Sequence, residues 1–114
     1  VVSIPEDITL DESSSITVYR IFQEALTNIA RHSGATQVEI LLIQKADQVT
    51  LTVKDNGKGI AREQINNCIS LGLIGMHERA GLLNGLLNIQ SEPDQGTTVF
   101  LSIPYPQKGR QSLA

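Results

Sequence analysis

Between Asp11 and Ser33 the apolar residues Val18, Ile21, Phe22, Ala25, Leu26 and Ile29 recur every three or four positions, with polar residues between them. That spacing predicts an amphipathic helix with one buried stripe. Thr9 with Glu12 three residues later resembles a capping box at its start, and Gly34 stands where such a helix would stop. The period then shortens to two. Residues 37–44 and 49–54 alternate, with Val38, Ile40 and Leu42 on one face and Val49, Leu51 and Val53 on one face of the next. The linker Lys45-Ala46-Asp47-Gln48 suits an antiparallel hairpin. From Gly57 to Gly75 neither period holds, which predicts a long mobile loop. Met76, Ala80 and Leu83 share a helical face, so a second helix is expected from about Gly75 to Asn84, ending at Gly85. Residues 86–90 and 97–103 read as two further strands around the turn-rich segment 91–96. Helix, two strands, loop, helix, two strands is the order of an α+β two-layer sandwich: a mixed, mostly antiparallel sheet with helices on one face.

Composition narrows the picture. A chain of 114 residues has the size of one domain and can bury a core without disulfides or a structural metal. We expect one domain over residues 1–106, followed by a polar tail at 107–114. The 40% hydrophobic and 18% charged content is that of a chain that folds. A net charge of -3 without a basic cluster argues against nucleic-acid binding. Cys68 is the single cysteine, so neither an internal disulfide nor a Cys-based zinc site is expected, which fits a reducing cytoplasmic setting. No apolar run approaches the roughly 20 residues that span a bilayer, so no direct membrane contact is expected of this domain. The chain opens on Val1 instead of methionine, as a piece of a longer protein would, and the parent could be membrane-anchored.

Four segments could carry chemistry. Asp55-Asn56-Gly57-Lys58-Gly59-Ile60 follows an alternating strand. It reads either as a surface turn or as a site in which a carboxylate accepts from an exocyclic amine and glycines let a flat ring approach the backbone. Glu24 and Asn28 stand one turn apart on the first helix. They are either solvated positions, Glu24 pairing with Arg20, or a carboxylate and an oxygen ligand suited to hydrated magnesium. Arg31 and His32 follow, either to meet a phosphate or to complement the helix dipole. Gly72-Leu73-Ile74-Gly75-Met76 leads towards the second helix, as an ordinary glycine-rich entry or as free N–H groups for an anion. Neither a P-loop nor a dinucleotide fingerprint is present. Gly96-Thr97-Thr98 alone is a strand start.

In that order, Glu24-Ala25-Leu26-Thr27-Asn28, Asp55-Asn56-Gly57-Lys58-Gly59, Gly72-Leu73-Ile74-Gly75-Met76 and Gly96-Thr97-Thr98 resemble the N, G1, G2 and terminal Gly-Thr boxes of the GHKL ATPase superfamily. That superfamily holds DNA gyrase, heat-shock chaperones, mismatch-repair proteins and histidine kinases. The run from Tyr19 through Ser33, with Gly72 through Arg79, is most similar to the nitrate-sensor and lipid-thermosensor group of histidine kinases. Ser70 and His77 depart from that group, which often has glycine and a basic residue there.

The resemblance implies a Bergerat fold with an ATP lid at about residues 60–71, and ATP and magnesium as ligands. It implies that Asp55 binds the adenine amine, that Asn28 ligates magnesium, and that Gly57 and Gly59 admit the ring with Ile60 alongside. Gly72 and Gly75 would frame the lid and phosphates, Leu73 and Met76 would also bind ATP, Thr97 would line the adenine end, and Arg31 and His32 would lie near the phosphates. Glu24 would be catalytic, as base or as organiser of the magnesium shell. The phosphoacceptor histidine belongs to a separate dimerisation helix, and neither His32 nor His77 matches it. The implied partners are that histidine phosphotransfer domain of the same protein and a response regulator. Two alternatives are an anti-sigma-factor-type serine kinase and a non-catalytic nucleotide-sensing domain.

Overall fold

The computed structural model describes residues 2–3, 10–45, 47–59 and 68–105. Its elements are β1 (Val2–Ser3), α1 (Glu12–Asn28), a π-helical turn (Ile29–Ser33), β2 (Val38–Lys45), β3 (Gln48–Asp55), α2 (Cys68–Leu82), β4 (Leu86–Glu92) and β5 (Gly96–Pro104). The strands form one sheet in the order β1-β2-β3-β5-β4. Only β1 runs parallel to its neighbour, pairing Val2 with Ile40; every other pair is antiparallel. This is the expected mixed, mostly antiparallel α+β sheet, and among the described residues no helix is long and apolar enough to cross a bilayer.

Register puts the predicted apolar residues on one face. Ile40 lies opposite Val53, Leu42 opposite Leu51, and β5 continues the rows with Val99 and Leu101 against Val53 and Leu51. Val49, Leu51, Val53, Val99, Leu101 and Ile103 are buried with Ile21 and Ala25 of α1 and with Met76, Ala80 and Leu83. Val18, Phe22, Leu26 and Ile29 complete the stripe half-buried against this core. The other face carries Thr50, Thr52, Lys54 and Phe100, and Phe100 remains 39% exposed. Both helices therefore cover a single face of the sheet.

Helix ends show where local chemistry was read correctly and where it was not. Thr9 of the expected capping box lies outside the described residues. Asp11 takes the N-cap place with an extended backbone, its carbonyl accepting the Ser15 N–H at 2.9 Å, while its carboxylate makes no capping bond. At the other end, Gly34 adopts φ +63°, the left-handed stop that its position suggested. The last turn before it is π-helical, which apolar spacing does not reveal.

The second helix differs from expectation: it spans Cys68–Leu82, not about 75–84. Gly72 and Gly75 lie inside it, each costing about 1 kcal/mol relative to alanine. Burial of Met76, Ala80 and Leu83 offsets that cost, and Gly72 gives the Glu24 side chain of α1 a close seat, described below. The helix closes on Asn84, whose φ is +56°, and the Gly85 N–H reaches the Ala80 carbonyl at 2.9 Å. Gly85 is needed for space instead: a Cβ there would stand 2.8 Å from Ile103 Cγ2 and 2.9 Å from the Ser102 carbonyl oxygen.

Ile21 is fully buried where α1 meets the sheet, whereas Ile16 is 49% exposed. Ile21→Ala should lower stability by about 3 kcal/mol and Ile16→Ala by less than about 0.5 kcal/mol. Urea unfolding with unchanged slope checks this, and equal costs at the two positions would contradict the packing described.

Candidate functional site

Alternation along β3 carries one polar residue into the buried row. Val49, Leu51 and Val53 face the helices, and Asp55, two residues on, is only 3% exposed. A buried carboxylate requires hydrogen-bond donors. One comes from its own turn: the Gly57 N–H donates to Asp55 Oδ1 at 2.8 Å. A carboxylate has about four acceptor positions, so most of its capacity remains for a ligand.

The turn from Asp55 to Gly59 rests on the hairpin joining β4 and β5. Gly96 has φ +93°, and a Cβ there would run into the Asp55 carbonyl oxygen and lie 3.1 Å from Asn56 Cα. Gly59 has φ +79°, and a Cβ on it would meet the Glu92 carbonyl oxygen and Ser91 Oγ, the latter at 3.0 Å. The Asp94 N–H donates to the Lys58 carbonyl at 2.8 Å, closing the seat from above. Both glycines satisfy a left-handed backbone and a close approach at once. Gly57 and Gly59 are buried.

Thr97 opens β5 on the helix-facing side and is half-buried. Its Oγ1 lies 3.0 Å from Ser91 Oγ on β4, a hydroxyl pair in which either can donate. Strand pairing sets Ser91 opposite Thr97. Sequence reading missed Ser91 because it falls in a turn-rich run. The signal was the hairpin register, which places it across from Thr97 once the turn is fixed.

The helix layer supplies the rest. Glu24 and Asn28 are half-buried in α1, and Arg31 is exposed on the π turn. The side chain of His32 and the whole of Ile60 lie outside the described residues. The segment after Gly34 leads directly into β2, whose Val38 pairs with Asp55, so the Asn28 end of α1 is tied to the sheet end that carries Asp55. Gly72 packs on α1: a Cβ on it would stand 2.8 Å from Glu24 Oε2.

The expected reading of Gly72 and Gly75 as a helix entry with free N–H groups is therefore corrected. They lie in the second and third turns of α2, whose backbone donors are engaged within the helix. Of the expected lid at 60–71, the last four residues belong to α2, and 60–67 lie outside the described residues. Leu73 packs against the core and Met76 is fully within it. Arg79 folds back over Gly75, where a Cβ would stand 2.9 Å from its Nη1. His77 is exposed.

A cavity of about 510 Å³ also opens at this end of the sheet, walled by Thr36, Gln37, Glu39, Lys54, Asp55 and Asn56 among others. Among the described residues its walls come from β2, β3, the segments beside them and the β4–β5 turn, and not from α1 or α2.

Comparison with known proteins gives the family and the fold. Residues 13–107 match the family described as histidine kinase-, DNA gyrase B- and HSP90-like ATPase. The chain is 39% identical to the signal transduction histidine-protein kinase/phosphatase DegS of Brevibacillus brevis, over 82% of this chain and 24% of that protein. It is 36% identical to the sensor histidine kinase LiaS of Bacillus subtilis, over 90% of this chain and 29% of that one. The chain thus spans between a fifth and a third of these curated relatives. Among solved structures, the blue-light activated histidine kinase of Erythrobacter litoralis superposes with a TM-score of 0.77 at 22% identity, covering 96% of this chain and 35% of that one. The ATP binding domain of PrrB from Mycobacterium tuberculosis superposes with a TM-score of 0.65 at 24% identity, covering 80% and 68%. Both share the fold.

The seat beneath Asp55 should tolerate no side chain. Gly34→Ala meets nothing within 4 Å and should cost about 1 kcal/mol for its left-handed backbone alone. Gly96→Ala adds a collision with the Asp55 carbonyl and should cost about 3 kcal/mol or more. Denaturant midpoints compare the two, and equal losses would show that the close approach is unimportant.

Proposed function

This chain belongs to the histidine kinase-, DNA gyrase B- and HSP90-like ATPase family, and on that premise we propose that it is the ATP-binding catalytic domain of a two-component sensor histidine kinase. The observation that carries the reading is the Asp55 carboxylate: buried, and held by the Gly57 N–H in a turn whose backbone closes on the β4–β5 hairpin at Gly59 and Gly96. A carboxylate so placed accepts from the exocyclic amine of adenine. Guanine offers a carbonyl at that position and would leave two acceptors facing each other. Gly59 and Gly96 shape this end by letting the turn close on the β4–β5 hairpin, not by leaving open space for the ring, and Thr97 stands at the same end with its hydroxyl paired to Ser91.

Magnesium fits the residues in a particular way. Among the described residues no group of three or more His, Cys, Asp or Glu side chains gathers. A metal here would be held by the Asn28 side-chain oxygen together with phosphate and water oxygens, the sparse protein coordination that magnesium favours. Glu24, one turn earlier and half-buried, would order that shell. Arg31 and His32 would lie towards the phosphates and Gly72 and Gly75 along the lid side, while Leu73 and Met76, packed into the core, would only back that wall.

ATP supplies the transferable γ-phosphoryl group. What these residues add is position and compensating charge, the main protein contributions to phosphoryl transfer. The acceptor would be a histidine on a dimerisation domain of the same protein, and the final acceptor a response regulator. The relatives at 36% and 39% identity are sensor and signal-transduction histidine kinases, which favours this reading over a serine kinase. The domain would work on the cytoplasmic side.

Calorimetric titration with a non-hydrolysable ATP analogue tests the site. Binding should strengthen with magnesium, and Asn28→Ala should remove that dependence. Asp55→Asn should weaken binding at least tenfold, since a hydrogen bond to a charged group contributes about 1.5–3 kcal/mol and tenfold is about 1.4 kcal/mol. Unchanged affinity in Asp55→Asn would refute the adenine assignment. The isolated chain should bind ATP without labelling itself; γ-phosphate retained on His32 or His77 would place the acceptor inside this domain.

A further inference from the structure

We propose that Asn56 is a positioning residue that locks the adenine end of the site to the metal end. Its side chain makes three hydrogen bonds to one short segment. Oδ1 accepts the Thr36 N–H at 2.9 Å and the Gln37 N–H at 3.0 Å, and Nδ2 donates to Thr36 Oγ1 at 3.0 Å. Its backbone N–H donates to the Gln37 carbonyl at 3.3 Å. Both lone pairs of the side-chain oxygen are thereby used.

The segment so gripped is the connection between the π turn and β2, so it begins two residues after the left-handed Gly34 that ends the Asn28 helix. On its other side Asn56 lies between Asp55 and Gly57, the two residues whose carboxylate and N–H form the adenine turn. One side chain thus joins the strand that presents the carboxylate to the helix that presents the metal ligand. A shift of residues 35–37 would be transmitted to the direction of Asp55, and the reverse.

Position distinguishes this role from support of the fold. Asn56, Thr36 and Gln37 are all exposed, and none belongs to the core. The staple holds two surface segments in mutual register where the buried packing ends. Its effect should therefore appear in what the site binds more than in whether the chain folds. An amide is also the fitting group: it supplies two acceptor positions and a donor from one plane. A carboxylate would keep the acceptors and could take its third bond from the Thr36 hydroxyl.

The inference rests on the nucleotide-binding reading, and the test separates the two. Wild type, Asn56→Ala, Asn56→Asp and Thr36→Val are titrated calorimetrically with non-hydrolysable ATP and GTP analogues in magnesium, beside urea unfolding and amide exchange at Gly57. Asn56→Ala should keep the wild-type unfolding slope, bind the ATP analogue about tenfold more weakly, lose preference for adenine over guanine and exchange Gly57 faster. Asn56→Asp should restore affinity and preference to within about threefold, and Thr36→Val should weaken binding by about threefold. Wild type that binds neither analogue refutes the nucleotide reading itself. Wild type that binds, beside an Asn56→Ala protein with the same affinity and preference, overturns this inference alone. Should Asn56→Ala fail to fold, Thr36→Val decides, and wild-type affinity and preference in that variant overturn it equally.

Discussion

A carboxylate taken out of water needs donors within reach, and around Asp55 this need organises one end of the molecule. Among the described residues it is the single buried ionisable side chain, Ser14 being the other buried polar residue. Its strand delivers it by the same alternation that buries Val49, Leu51 and Val53, so its orientation is fixed by the hydrophobic row and not by local preference. The turn after it must then curl back far enough for the Gly57 N–H to reach Oδ1, and that curl leaves room beneath it only for backbone. Gly59 and Gly96 follow as spatial requirements, and with them the height at which the β4–β5 hairpin meets the turn.

Two kinds of contact hold the rest of the site to this point. On the sheet side they are directional: the Asn56 staple, the Asp94 link to Lys58 and the Ser91–Thr97 hydroxyl pair. On the helix side they are steric, through the core that seats α1 and α2 on one face of the sheet. Such directional bonds stabilise little individually but fix angles, whereas apolar burial supplies most of the free energy and tolerates small shifts. A nucleotide site needs both, since affinity for a base depends on angles and its pocket depends on the core.

The sheet was legible almost to the residue because each strand buries one face. Expected spans of 37–44 and 49–54 became Val38–Lys45 and Val49's strand Gln48–Asp55, with the predicted faces inward. Gly34 was legible as a stop, since a left-handed residue there favours glycine, but the π turn before it was not, because spacing of apolar residues does not resolve an extra residue in one turn. β1 was too short to leave a pattern. The start of α2 was misjudged for an instructive reason. Gly72 and Gly75 weaken a helix locally, and what compensates is tertiary: residues far away in sequence, at Glu24 and in the sheet. Asp55, Gly57, Gly59 and Thr97 stand out in the sequence as a set by their order along the chain, and the structure brings them to one end of the sheet. Asn56 was read as part of the same motif, yet its partners Thr36 and Gln37 could be found only in space.

The contact of Gly72 with Glu24 has a mechanical side. Successive residues of a helix point about 100° apart, so a notch at one position exists in only one rotational setting. With α2 as it stands, the bare backbone of Gly72 lies under the Glu24 carboxylate. Turned by a single residue, the same helix would bring the isobutyl group of Leu73 beneath that carboxylate, which would have to swing away to make room. Glu24 and Gly72 thereby mark one rotational setting of α2 on α1, the one in which a side chain of the first helix closes over bare backbone of the second.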